Sequence, residues 1–192
     1  MNKINIIRGG IPILISVPHS ISHTRDGIVK LGEINTDMIG YYLFNETDCH
    51  VFVNTGLDGD PNYDAEHPYK TKLLKYIKDN DIQFMVDIHG ANGNSDFDIE
   101  IGTGKGENIY GNYDIISDII NIGKEYGYIM TIDEHFPCCG EHRISSTVAR
   151  EAGIPSIQLE INYRKRNNKK NLRETVSLLT FYINSIKEKT AR

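Results

Sequence analysis

QFMVDIHG, residues 83–90, is a short apolar run that ends in Asp, His and Gly. A run of this length, rich in β-favouring side chains and closed by a turn residue, is typical of a buried strand in a parallel sheet. Ligands of open α/β sheets bind beyond the carboxyl ends of such strands. We therefore expect Asp87 and His89 at the mouth of a site rather than in the core.

Two further apolar runs end in polar residues in the same way. Residues 11–17 stop at Pro18-His19-Ser20, and residues 155–161 carry Glu160 near their end. Strand patterns alternate with helical patterns along the chain, which predicts one α/β domain over residues 1–192 with a mixed, mainly parallel sheet and helices on both faces. The remaining strands are expected at 4–7, 50–54, 97–102 and 128–132, and the helices at 37–45, 70–80, 113–126, 145–152 and 171–187. Gly9-Gly10 predicts a hairpin or strand–turn–strand entry, and residues 20–30 a polar loop.

Composition excludes several classes of protein. The net charge of −5 and pI near 5.8 give no long-range attraction for nucleic acid or an anionic membrane, so neither is an expected partner. No run of eighteen apolar residues is present, and the first twenty residues lack a signal-peptide pattern. Three cysteines without framework spacing favour a reducing compartment, and we expect a cytoplasmic protein. We interpret the basic run at 163–173 as a solvated surface segment.

The strand ends carry residues of the metal-binding type. Catalytic zinc usually takes three protein ligands and leaves a position for water, while a nearby carboxylate accepts the water's proton. His19 and His89 each end a strand, Asp37 or Glu33 lies near the start of the following helix, and Glu160 ends a third strand. Alone, each histidine could be structural and Asp37 a helix cap. Because independent strand ends converge on one edge, we favour a site for one divalent ion.

Three neighbouring residues have more than one interpretation. Asp87 could hold the imidazole of His89, or could bond a loop amide. The apolar flanks of Glu160 could raise its pKa toward that of a working base. His23 could be an alternative ligand or a proton donor, or could have no role on an exposed loop.

Several segments resemble the N-formylglutamate amidohydrolase family, which is related in fold to zinc carboxypeptidases and aspartoacylase-like enzymes. The similar segments are ISVPHS at 15–20, NTDMIGYYL at 35–43, MVDIHG at 85–90, FDIEIGT at 97–103 and AREAGIPSIQLEIN at 149–162. The resemblance implies a phosphorylase/hydrolase-like fold, zinc ligands at His19, Asp37 and His89, and Glu160 as general base or acid. An HxxE motif is absent because position 22 is Ser.

The resemblance also implies the substrate, a small carboxylate-bearing N-acyl amino acid such as N-formylglutamate. Family members usually carry an arginine in the loop after the 50–54 strand, whereas this chain has Gly59-Asp60-Pro61-Asn62 there. Arg143 and Arg150 are the candidate clamps, since a guanidinium grips a carboxylate through two parallel hydrogen bonds.

Two other functions remain open. A catalytically degenerate small-ligand binder would share the fold without turnover. A phosphate or nucleotide binder would use the glycine-rich turn at 102–106 before a helix. HFPCCGEH at 135–142 holds enough His and Cys for a second metal, but its spacing favours a loop that lines the pocket.

Overall fold

A seven-stranded mixed sheet runs through the centre of the computed structural model, which describes residues 3–190. The strands are β1 (Ile4–Ile7), β2 (Ile11–Val17), β5 (Cys49–Asn54), β6 (Phe84–Ala91), β7 (Ile99–Gly102), β8 (Met130–Ile132) and β9 (Ser156–Asn162), with β3 (His23–Arg25) and β4 (Ile28–Lys30) in a separate two-stranded sheet. The order across the large sheet is β1-β5-β2-β6-β9-β7-β8.

The four strands β5, β2, β6 and β9 are parallel to one another. β1 and β7 join them antiparallel, and β8 is parallel to β7. The predicted mixed, mainly parallel sheet is therefore confirmed. Because β2, β6 and β9 are adjacent, their carboxyl ends form one continuous edge.

Helices cover both faces of the sheet, as predicted. They are α1 (Thr36–Thr47), α2 (Pro68–Asp79), α3 (Asp114–Glu125), α4 (Ile144–Ala152) and α5 (Lys169–Thr190). α1, α3 and α5 share one hydrophobic core with Ile13 and Ile15 of β2, whereas α2 and α4 pack with Leu14 on the opposite face. No helix within residues 3–190 combines the length and hydropathy needed to cross a membrane.

The structure decides one open expectation about the N-terminal third and corrects another. Of the two alternatives for Gly9-Gly10, the structure has the strand–turn–strand entry and not the hairpin, because β5 lies between β1 and β2 in the sheet. The Gly9-Gly10 turn instead crosses the start of β5: Gly10 N–H donates to the Asp48 carbonyl at 2.9 Å, and a Cβ on Gly9 would lie 2.2 Å from that oxygen. Residues 20–30, expected as a loop, contain the β3–β4 hairpin.

Candidate metal centre

The carboxyl edge of the sheet presents His89 and Glu160 side by side. His89 of β6 is in register with Glu160 of β9. Side chains alternate along a strand, so both project from the face that α2 and α4 cover, while Ile88 and Leu159 enter the opposite core. His19 reaches the same place two residues after β2 ends at Val17.

His19, Glu33 and His89 form a cluster with the geometry of a metal site. Glu33 Oε1 lies 3.2 Å from His19 Nδ1, and Glu33 Oε2 lies 3.7 Å from His89 Nδ1. One donor atom from each residue lies within 4.8 Å of the other two. Two imidazole nitrogens and a carboxylate oxygen are a ligand set that zinc accepts, with a fourth position for water.

The second ring nitrogen of each histidine is held by a buried aspartate. His19 Nε2 lies 2.8 Å from Asp60 Oδ1, and His89 Nε2 lies 3.0 Å from Asp87 Oδ2. Metal-binding histidines usually bond a carboxylate, a backbone carbonyl or a water through this second nitrogen, which fixes the tautomer and the ring orientation. The donor chemistry therefore fits a divalent ion held through the two Nδ1 atoms. The arrangement also favours the first interpretation of Asp87.

Burial and charge act in opposition on the pKa values of these groups. Burial alone would lower the pKa of His89, but Asp87 and Glu33 outweigh it and hold that pKa well above its usual range. The same competition, with Asp60 and Glu33 as partners, raises the pKa of His19. Burial alone would raise the pKa of Glu33, but hydrogen bonds with both histidines hold it well below its usual range. The cluster is thus organised around an ionised carboxylate.

A second cluster adjoins the first but is less suited to a metal. His23 stacks on His19 with ring centroids 4.0 Å apart, and its Nε2 lies 3.4 Å from Asp60 Oδ2. Arg25 Nε also donates to Asp60 Oδ2, at 2.6 Å, and the backbone N–H of Asn62 donates to Asp60 Oδ1 at 2.9 Å. Because Asp60 is already neutralised and hydrogen-bonded, we assign it the role of supporting His19.

The structure favours Glu33 over Asp37 as the third member of the site. Glu33 N–H donates to the His19 carbonyl at 2.8 Å, so the two residues are joined through the backbone. Asn35 then takes a left-handed conformation (φ 63°), and α1 starts at Thr36. Asp37 lies in the first turn of that helix and belongs to neither metal-type cluster found within residues 3–190.

A cavity of about 420 Å³ opens over this cluster and Glu160. Its walls combine the strand ends with the segment that precedes α4: His19, Arg25, Glu33, Asn62, His89, Gly90, Ala91, Asn92, His135, Phe136, Pro137, Cys138, Cys139, Gly140, Arg143, Gln158 and Glu160. The volume suits a small-molecule ligand. Burial raises the pKa of Glu160 to about 7, the range of a working general base.

The two arginines proposed as clamps lie in different environments. Arg143 lines the cavity, precedes α4 and donates from Nη1 to the Asn62 carbonyl at 3.2 Å. Arg150 does not line this cavity; its half-exposed side chain pairs with Glu151 at 2.9 Å. The position of Arg150 therefore does not support a role in substrate binding.

Sequence reasoning missed two residues that organise the site. Asp60 lies in a segment whose alternating acids resemble a calcium loop, and only its contact with His19 reveals its role. Arg166 lies in the basic run interpreted as solvated, yet it is only 4% exposed. It donates from Nε to the Ile161 carbonyl at 3.1 Å and from Nη2 to the Ala91 carbonyl at 3.1 Å, and a third hydrogen bond reaches the Ile34 carbonyl.

The glycine-rich turn at 102–106 does not favour the phosphate-binding alternative. Gly104 N–H donates to the Pro137 carbonyl at 2.7 Å, and Gly106 N–H donates to Thr103 Oγ1 at 2.9 Å. These amides are therefore engaged within the protein, and the helix that follows, Glu107–Ile109, is a single 3₁₀ turn. The 135–142 segment instead lines the cavity at several positions, as expected.

The fold matches solved structures, although no family model and no curated protein matches the sequence. N-formylglutamate amidohydrolase from Ralstonia eutropha JMP134 superposes with a TM-score of 0.72 and 13% identity, over 98% of each chain. A bacteriophage poly-gamma-glutamate hydrolase gives a TM-score of 0.63 and 14% identity, over 95% of this chain and 88% of that one. The zinc-free apo form of YNDL also gives a TM-score of 0.63 and 14% identity, over 95% of this chain and 90% of that one.

This chain therefore has an α/β fold with a mixed, mainly parallel sheet and a metal-type cluster at the carboxyl edge of that sheet. More particularly, it has the fold of N-formylglutamate amidohydrolase, as the resemblance of the sequence segments implied.

Proposed function

We propose that this protein is a zinc-dependent hydrolase of the amide bond in a small N-acyl amino acid that carries a carboxylate, such as N-formylglutamate. The observation that carries the proposal is the convergence of His19, Glu33, His89 and Glu160 on one cavity. The likeness in fold to an N-formylglutamate amidohydrolase and a poly-gamma-glutamate hydrolase supports amide hydrolysis. The fold shared with a protein that has a zinc-free apo form supports the choice of ion.

His19, Glu33 and His89 would hold the ion, so Glu33 takes the place that the family resemblance gave to Asp37. Zinc bound there would supply a Lewis acid for the scissile carbonyl and would lower the pKa of water in the site. Asp60 and Asp87 keep the two imidazoles in the orientation that this set requires.

Glu160 would act as the general base and then as the general acid. It lies next to His89 across the β6–β9 pair, at the wall of the cavity. A carboxylate with a pKa of about 7 can accept a proton from water and return it to the departing nitrogen near neutral pH. The reaction then yields a carboxylic acid and an amine.

Arg143 would bind the carboxylate of the substrate. Within residues 3–190 it forms no ion pair, whereas Arg25, the other cavity arginine, is bonded to Asp60 at 2.6 Å. A guanidinium that lacks a carboxylate partner in the protein is available to an anionic substrate. The arginine expected from the family in the 59–62 loop would thus be replaced from the start of α4.

Elemental analysis of the purified protein tests the metal assignment first. We expect about one equivalent of zinc in the wild type, as a three-ligand catalytic site predicts, and its loss in His89→Ala and Glu33→Gln. Asp37→Asn is the matched control and should retain zinc. Zinc retained by Glu33→Gln but lost in Asp37→Asn would reverse the assignment. If the wild-type protein binds no metal even when zinc is supplied, the proposed hydrolase function is refuted.

Turnover of N-acyl amino acids tests the chemistry. Glu160→Gln should keep its metal and lose hydrolysis of N-formylglutamate, and retained activity would remove Glu160 from the mechanism. A wild type that holds metal and binds N-acyl amino acids without cleaving them would instead support the degenerate binding protein.

A further inference from the structure

Gln158 joins Glu160 to a buried hydrogen-bond network. It lies two residues before Glu160 on β9, on the same face of the strand, and is only 3% exposed. Its Nε2 donates to Glu160 Oε1 at 3.0 Å. Its Oε1 accepts from Asn62 Nδ2 at 3.3 Å and from the Cys138 thiol at 3.1 Å.

The direction of these hydrogen bonds follows from a backbone amide. Ile144 N–H, which can only donate, bonds Asn62 Oδ1 at 2.8 Å. The opposite side of the Asn62 amide, Nδ2, must therefore face Gln158 as a donor, which requires Oε1 of Gln158 as the acceptor. Burial raises the pKa of Cys138 to about 12, so its thiol keeps the proton that it donates to the same oxygen. Nε2 of Gln158 is thereby directed at Glu160.

The network also reaches the metal-type cluster. Asn62 N–H donates to Asp60 Oδ1 at 2.9 Å, and Asp60 Oδ1 lies 2.8 Å from His19 Nε2. A continuous chain of contacts thus runs from His19 through Asp60, Asn62 and Gln158 to Glu160. The position of the Glu160 carboxylate therefore depends on that of the His19 imidazole, although β6 lies between β2, which His19 follows, and β9, which carries Glu160.

A single amide donor on Oε1 restrains the carboxylate of Glu160 without occupying it. Among the described residues, no hydrogen bond to Oε2 of Glu160 is formed, so that oxygen stays available to the cavity. A buried carboxylate of this kind needs a partner that keeps it in one rotamer, because a base must lie within about 2.6–3.2 Å of the atom whose proton it takes. Gln158 supplies that restraint.

We infer that Gln158 is a positioning residue for Glu160, with Asn62 and Cys138 setting the direction of its amide; this inference rests on the proposed hydrolase function. Gln158 does not touch substrate in this role. It holds Glu160 Oε1 so that Oε2 meets the water in the cavity. Its loss should therefore reduce turnover rather than substrate or metal binding.

The test compares Gln158→Met with Asn162→Leu in the zinc-loaded protein. Asn162 flanks Glu160 on its other side, is equally buried, and donates to the Ser95 and Phe97 carbonyls instead of to Glu160. For Gln158→Met we expect kcat for N-formylglutamate to fall about 10- to 100-fold, part of the 10²–10⁴ that a general base contributes, with KM and zinc content unchanged. Asn162→Leu should keep kcat within about threefold of the wild type, because the base and its donor remain.

Gln158→Leu also removes the amide donor to Glu160 without adding a charge, so it is the second variant if Gln158→Met does not fold. Wild-type kcat in a folded Gln158 variant would overturn the inference, and so would an equal loss in Asn162→Leu. If the wild type cleaves no N-acyl amino acid, the proposed function fails by itself. The crystal structure of Gln158→Met then decides the inference: a reoriented Glu160 carboxylate supports it, and an unchanged one overturns it.

Discussion

Replacing Arg166 by Met should disrupt the site through the backbone. The Arg166 guanidinium is buried and bonds three carbonyls, those of Ile34, Ala91 and Ile161. Each carbonyl lies one or two residues from a functional side chain, respectively Glu33, His89 and Glu160. One side chain therefore connects the three segments that converge on the cavity.

The loss of stability in Arg166→Met follows from the number of carbonyls that lose their hydrogen-bond donor. Methionine fills much of the same volume but donates nothing, so three carbonyls lose their charged donor. A buried polar group left without a partner costs about 1–3 kcal/mol, which gives a loss of about 3–5 kcal/mol once partial relaxation is allowed for. For a chain of this size each kcal/mol shifts Tm by about 2–4 °C, so a loss of 3 kcal/mol lowers Tm by about 6–12 °C.

Thermal unfolding of Arg166→Met beside Arg164→Met measures this cost. Arg164 lies two residues away, is about half exposed, and donates to the Ser95 carbonyl, so its loss should change stability by less than about 1 kcal/mol. Zinc affinity should also fall in Arg166→Met and stay unchanged in Arg164→Met. Equal unfolding temperatures for the two variants, or normal zinc affinity in Arg166→Met, would refute the reasoning.

Three further predictions concern the strands that carry the site and the site itself. Tyr69→Phe should lower the free energy of unfolding by about 2–4 kcal/mol, measured by denaturant titration. The Tyr69 hydroxyl lies 3.1 Å from the Val17 backbone nitrogen and 2.8 Å from the Phe52 carbonyl, and both backbone groups would lose this partner. Asp87→Asn should weaken zinc binding about 10- to 100-fold in competition with a chelating dye, since the carboxylate that orients His89 is lost; unchanged affinity would exclude that role. Arg143→Met should raise KM for N-formylglutamate at least about tenfold and leave kcat nearly unchanged, because a charge-assisted hydrogen bond contributes about 1.5–3 kcal/mol; an unaltered KM would exclude Arg143 as the clamp.

The strand-end residues could be predicted because their placement is a local property of the sequence. Apolar runs that stop at His19 and His89, or that contain Glu160, identify strands and their polar ends together. The rule that parallel strands present their carboxyl ends at one edge then brings distant residues into one site.

The strand ends do not locate Asp60 or Arg166, and they do not decide between Glu33 and Asp37, because these roles depend on contacts between distant segments. Glu33 precedes α1 by a few residues, and two contacts with distant segments place its carboxylate in the cluster: its own N–H donates to the His19 carbonyl, and its Oε2 accepts from Gly90 N–H at 2.8 Å. Asp60 meets His19 across 41 positions of sequence. In the sequence, Arg166 cannot be told from the other residues of the basic run, and only the folded structure shows that it is buried against the strand ends.

The charge balance of the assembled site gives an independent reason to expect a cation. Carboxylates outnumber guanidinium groups around the cavity: the carboxylates are Glu33, Asp60, Asp87 and Glu160, and the guanidinium groups are Arg25, Arg143 and Arg166. Burying unpaired negative charge is costly, so the excess must be neutralised by protons or by an ion. The raised pKa values of His19 and His89 show how protons can neutralise this excess, because a protonated imidazole carries a positive charge. A divalent ion at the Nδ1 atoms would balance the same carboxylates while keeping both imidazoles neutral, and Glu160 would remain free to exchange a proton with the cavity.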